Sequence, residues 1–174
     1  LVEQKGIELI REILPQLMDM GVQLIVFGQG DPKYIEYFTW AKEQWPGQLG
    51  FSSDYNEPTA SAVFAGADMY LMPSRFEPCG LSQMMAMRYG TVPIVHETGG
   101  LKDSITDSGD GKGNGFTFQT YDTQDMLNSV HRAIYAYNES KDGWKVLVER
   151  AMACDNSWGR SANDYIRLYK QLIN

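Results

Sequence analysis

The sequence predicts an α/β fold: an open parallel sheet with helices on both faces. Two observations carry this. Strand-length apolar runs alternate with helix-length segments at short spacing, the order that right-handed βαβ crossovers impose. The runs are also nearly continuous in apolar character, as in Val22-Gln23-Leu24-Ile25-Val26-Phe27. A strand covered by helices on both faces needs apolar side chains pointing both ways, so it does not alternate with polar residues.

Each element follows from local pattern. Ile7, Ile10, Ile13, Leu14 and Leu17 recur at helical spacing until Gly21 stops them. Pro15 inside this run has no amide proton to donate, so it is expected to bend the helix or open a turn. A strand over 22–27 leads to the turn Gly28-Gln29-Gly30-Asp31-Pro32. There Asp31 occupies an N-cap and Pro32 a first helical position, for a helix reaching about Trp45. The unit then repeats: strand 48–52 and helix 57–66, strand 69–72 and helix 80–89, strand 92–95 and a short helix 101–105. A glycine-rich stretch over 109–115 precedes a last strand at 116–118. Helices at 122–138, 143–153 and 161–173 close the chain, with Tyr165 and Tyr169 read as packing residues. No repeat or long linker interrupts it, so residues 1–174 read as one Rossmann-like domain.

Composition excludes several classes. A chain of 174 residues can bury about 70% of its unfolded surface without covalent staples. A net charge of −7 argues against a nucleic-acid backbone or an anionic membrane as the main partner. Cys79 and Cys154 are too few for a disulfide framework, and His96 and His131 lie in unrelated segments, so no metal site is expected. No apolar run is long enough to span a bilayer, and the cytoplasm is the expected location. The start at Leu1 reads as that of an excised domain.

Ligands of such sheets bind outside the carboxyl ends of the strands, which directs attention to four turns. His96-Glu97-Thr98-Gly99-Gly100-Leu101 opens a short helix, and its glycines allow backbone amides to approach a phosphate or diphosphate; a plain glycine-softened turn reads the same way. It lacks the dinucleotide fingerprint, as does Gly28-Gln29-Gly30-Asp31, so no nicotinamide or flavin cofactor is expected. In Pro73-Ser74-Arg75-Phe76-Glu77-Pro78-Cys79-Gly80-Leu81, Glu77 can grip sugar hydroxyls beside the amides of Cys79, Gly80 and Leu81. Glu77 can equally be a carboxylate placed at a helix dipole. Lys5 falls near the same sheet edge or is a solvated lysine, and Tyr55 can stack on a base or simply anchor a turn. The glycine run lacks the alternating acids of a calcium loop.

Together these residues resemble the bacterial glycogen (starch) synthase family along essentially the whole chain. The specific elements are residues 73–84, Met87-Arg88-Tyr89-Gly90-Thr91-Val92-Pro93-Ile94-Val95 and Thr98-Gly99-Gly100-Leu101-Lys102-Asp103, flanked by Gln4-Lys5-Gly6 and Ser157-Trp158. The resemblance implies the C-terminal, donor-side half of a two-domain GT-B fold. It implies transfer of glucose from ADP-glucose to the nonreducing end of an α-1,4-glucan, with retention of configuration and no cofactor. It assigns Lys5 to the leaving diphosphate and Glu77 to the transferred glucose as the catalytic pair. The amides of Cys79, Gly80 and Leu81 would hold glucose hydroxyls, the turn Thr98-Gly99-Gly100 the diphosphate, and Tyr55 the adenine. An acceptor-side N-terminal domain is the implied partner, and an isolated half is expected to be inactive. Met85 stands where many related transferases carry a second Glu, and His96 where relatives often carry Arg. The alternatives are a stand-alone nucleotide-sugar-binding module and a GT-B transferase of different sugar or base.

Overall fold

A computed structural model describes residues 1–173. After a 3-10 turn at Glu3–Lys5, the elements run α1 (Ile7–Asp19), β1 (Leu24–Phe27), α2 (Pro32–Gln44), β2 (Leu49–Ser52), α3 (Glu57–Gly66) and β3 (Met69–Met72). They continue with α4 (Ser82–Tyr89), β4 (Val92–His96), α5 (Gly99–Ser104), β5 (Phe116–Phe118), α6 (Thr123–Glu139), α7 (Lys141–Met152) and α8 (Trp158–Ile173). The strict alternation through β5 is the one that the apolar runs predict.

All strand pairs are parallel, but they form two ladders: β1 with β2, and β3 with β4 and β5. The single continuous sheet expected from the sequence is therefore divided between β1 and β3. The N-terminal segment bridges the carboxyl ends of these two strands. The Asp31 amide donates to the Leu1 carbonyl at 2.8 Å, and the Arg75 amide to the Gln4 carbonyl at 2.8 Å. β4 is buried along its whole length. Its Val92 and Ile94 join a large core with α1, α2, α6 and α7, while Val95 joins a smaller cluster with Met72, Met87 and Leu101. Helices on both faces thus explain why this strand carries no alternation. β1 is less covered, and Ile25 remains 56% exposed.

Pro15 does not break α1, which runs unbroken from Ile7 to Asp19. The carbonyl that loses its helical donor belongs to Arg11, four residues earlier, and the Tyr37 hydroxyl from α2 donates to it at 3.3 Å. A tertiary contact thus replaces the missing local bond. Asp31 stands at the N-cap of α2 as expected, but its side chain makes no capping bond.

The glycine-rich stretch is tied down at its start. Asp107 accepts both Arg132 guanidinium nitrogens, at 2.8 and 2.9 Å, and the Gly109 and Thr117 amides, each at 2.8 Å. Burial pushes this carboxyl up, but Arg132 and the two amides together hold it below its ordinary 3.8. A depressed carboxyl stabilises the fold fully above its unfolded value and loses that contribution as pH falls through the folded one. Thermal melts of wild type and Asp107→Asn between about pH 7 and about pH 2 are expected to differ most at neutral pH and to converge at the acid end. A constant gap across the range would show that the charge of Asp107 does not matter.

Tyr165 and Tyr169, expected to pack, do not. α8 has no buried residue, and the two rings are 61% and 56% exposed. The apolar stripe of α8 is covered by no element among the described residues.

Candidate functional site

The site is organised by the turn between β3 and α4. Pro73 and Ser74 leave β3 buried, Arg75 and Phe76 swing out to solvent, and the chain turns back so that Glu77 is only 7% exposed. Gly80 takes a left-handed φ of +72 before α4 begins at Ser82. The result is a carboxylate sunk in the carboxyl edge of the sheet, with the amides of Cys79, Gly80 and Leu81 beside it. None of these three amides has a protein acceptor among the described residues.

Lys5 meets this carboxylate from the other side. Its Nζ lies 2.5 Å from Glu77 Oε2. The approach depends on Gly6, whose φ is +73 and which packs so closely on β3 that a Cβ there would overlap the Pro73 carbonyl oxygen. The Gln4 side chain adds a bond to the Phe76 carbonyl at 3.0 Å. Lys5, a residue that would ordinarily read as solvated, is therefore held against Glu77 by backbone packing.

The turn Thr98-Gly99-Gly100 docks directly onto this arrangement. The Gly100 amide donates to the Glu77 carbonyl at 3.0 Å, and the Thr98 amide to the His96 carbonyl at 2.8 Å. A Cβ at Gly99 would overlap the Glu77 carbonyl oxygen, and one at Gly100 the Cys79 carbonyl oxygen. The two glycines thus serve the close approach of two turns, and among the three residues only the Gly99 amide is left without a protein acceptor. Gln83, fully buried on α4, locks the turns together. Its Nε2 donates to the Gly80 carbonyl at 2.8 Å, the Cys79 carbonyl at 3.3 Å and Ser104 Oγ at 3.1 Å, while Ser104 donates to the Gly100 carbonyl at 2.6 Å.

The structure therefore gathers Lys5, Glu77, Cys79, Gly80, Leu81, Thr98, Gly99 and Gly100 into one cluster. Tyr55 stands apart at the carboxyl end of β2, 57% exposed, with its ring centroid 5.6 Å from that of Phe27 at the end of β1. Ser74, Gln83 and Gly6 escaped the sequence reading. Their roles arise from contacts with residues distant in the chain: Ser74 with His96, Gln83 with Ser104 and Gly6 with Pro73, and no local pattern records those. Arg75 points outward over the Tyr121 ring, 5.9 Å from its centroid.

Chemically, a buried carboxylate paired with a lysine and ringed by unengaged amides suits a ligand that carries both hydroxyls and negative charge. Carboxylate and amides can hold hydroxyls, and the cation and amides can take phosphate oxygens. Among the described residues no three His, Cys, Asp or Glu side chains gather as metal ligands would, and no helix is long and apolar enough to cross a membrane.

Comparison with known proteins gives the family. The family described as glycosyl transferases group 1 matches residues 1–143. The chain is 45% identical to a glycogen synthase of Desulforudis audaxviator, aligned over 99% of this chain and 35% of that protein. It is 46% identical to a glycogen synthase of Bacillus cereus, over 99% of this chain and 37% of that one. It thus spans just over a third of the length of these relatives. Among solved structures, the catalytic domain of starch synthase IV from Arabidopsis thaliana, bound to ADP and acarbose, superposes with a TM-score of 0.89 at 38% identity. That match covers 98% of this chain and 36% of the other.

Proposed function

Since the chain belongs to the group 1 glycosyl transferases, we propose that it is the donor-binding half of a retaining glucosyltransferase. The enzyme moves glucose from ADP-glucose to the nonreducing end of an α-1,4-glucan. Residues 1–174 act as one Rossmann-like domain, working in the cytoplasm beside an acceptor-side N-terminal domain in a GT-B arrangement. The observation that carries this reading is the buried Glu77 carboxylate paired with Lys5 at 2.5 Å, set among the free amides of Cys79, Gly80 and Leu81. The choice of ADP follows from likeness to the starch synthase that binds it.

Cleaving a glycosyl–phosphate bond leaves positive charge on the sugar ring and negative charge on the departing diphosphate. Lys5 and Glu77 neutralise each other across their ion pair. When the donor enters, Lys5 turns to the diphosphate, joined there by the Gly99 amide of the Thr98-Gly99-Gly100 turn. The uncovered Glu77 carboxylate then faces the glucose, whose hydroxyls are held by the amides of Cys79, Gly80 and Leu81. Each charge is thereby met by a fixed group of opposite sign, which contributes most as the transition state forms. Tyr55, exposed at the edge of the sheet, stacks on the adenine.

The 174 residues alone are expected to bind ADP and ADP-glucose in a calorimetric titration but not to elongate a glucan, because they span just over a third of the length of the glycogen synthases they match. Robust elongation by this chain would defeat the half-site reading. Absence of any binding would defeat the donor reading, and tighter binding of UDP than of ADP would favour a transferase of different base.

A further inference from the structure

Glu77 has a second partner, behind it in the core. Ser74 is fully buried, and its hydroxyl donates to Glu77 Oε2 at 3.2 Å, the same oxygen that Lys5 holds. Oε1 has no protein partner among the described residues and is not among the buried unsatisfied atoms. The Ser74 carbonyl lies 2.8 Å from His96 Nδ1. A carbonyl can only accept, so Nδ1 carries the proton in this contact. The imidazole is itself held, stacked on Phe118 at 5.3 Å between ring centroids and flanked by Tyr121 at 5.4 Å. His96 also ends β4, the strand buried along its whole length. A chain of contacts therefore runs from the rigid centre of the sheet through His96 and Ser74 to one oxygen of Glu77.

The two partners of that oxygen differ in permanence. The Lys5 side chain is 44% exposed, and on the reading above it leaves for the diphosphate when the donor binds. Ser74 cannot leave, because a buried hydroxyl without a partner is costly. We propose that Ser74 is the positioning residue for Glu77, with His96 as its anchor. Ser74 keeps Oε2 turned inward, so that Oε1 stays aimed at the glucose once Lys5 has moved away. The inference rests on the assignment of Glu77 to the sugar.

The test uses the 174-residue chain and two ligands that differ only by the glucose. Calorimetric titration of Ser74→Ala is expected to show ADP-glucose affinity reduced about tenfold, the scale of one hydrogen bond to a charged group, with ADP affinity kept within about twofold. His96→Leu should follow in the same direction. His96→Asn, which can place an N–H where Nδ1 sits, should restore most of the ADP-glucose affinity. A merely structural role would instead weaken both ligands together, in step with a lowered melting temperature, and that result overturns the proposal. So does a Ser74→Ala chain that binds ADP-glucose as wild type does while Glu77→Gln does not. If Glu77→Gln itself binds ADP-glucose as tightly as wild type, the assignment of Glu77 to the sugar fails, and this inference with it.

Discussion

Glu77→Gln, made in the enzyme that joins this domain to its acceptor-side half, is expected to lower turnover by at least about a hundredfold while ADP affinity changes by about twofold or less. The substitution keeps the shape of the side chain and removes its charge. ADP has no glucose for the carboxylate to grip, so its affinity should not register the loss, whereas the charge that develops on the sugar in the transition state should. Lys5→Ala should behave differently and weaken ADP binding as well as the rate, because the lysine meets the diphosphate in both states. The competing explanation, a carboxylate placed to complement a helix dipole, predicts near-normal turnover and a slightly lower melting temperature. That explanation is already strained by geometry: α4 does not begin until Ser82, and dipole effects fall off within the first turn. Turnover, ADP affinity and melting temperature measured on both variants decide between the two.

Gly99→Val carries the second large effect, and it should strike stability and ligand binding together. Gly99 has a φ of +45, and any Cβ there would overlap the Glu77 carbonyl oxygen. A β-branched residue therefore meets an unfavourable backbone conformation and a collision with backbone that cannot step aside. The expected cost is about 2–4 kcal/mol, or a fall in melting temperature of roughly 5–15 °C for a domain of this length. ADP binding should fall with it, since the displaced turn carries both Glu77 and the free amides. If the glycine served only to admit a phosphate, the melting temperature would stay at the wild-type value and only ADP affinity would drop. Melts of wild type and variant, each with and without ADP, separate the two outcomes.

Much of the candidate site was legible in the sequence. Glu77, Cys79, Gly80 and Leu81 lie in one turn, at the end of a strand that the run Met69-Tyr70-Leu71-Met72 announces. The rule that ligands gather at carboxyl ends of parallel strands needs nothing more. The two glycines after Thr98 were also visible, but their purpose was not. Local sequence says that a backbone can come close to something there; it does not say that the nearest object is the Glu77 carbonyl rather than an anion. Pro15 gives the same lesson, because its effect on α1 depends on a Tyr37 hydroxyl from another helix.

By itself the sequence determined the order and type of the elements, since apolar periodicity, N-caps and glycine stops act over a few residues. It pointed to the turns where ligands are expected, and its long runs in register carried the family resemblance. The tertiary structure alone decided which residues meet. The pairing of Lys5 with Glu77 across 72 positions, the burial of Ser74 beneath them, the division of the strands into two ladders and the bare face of α8 follow from how the layers pack. Packing brings together groups whose separation along the chain carries no signal, and it leaves uncovered an apolar stripe that the pattern alone would have buried.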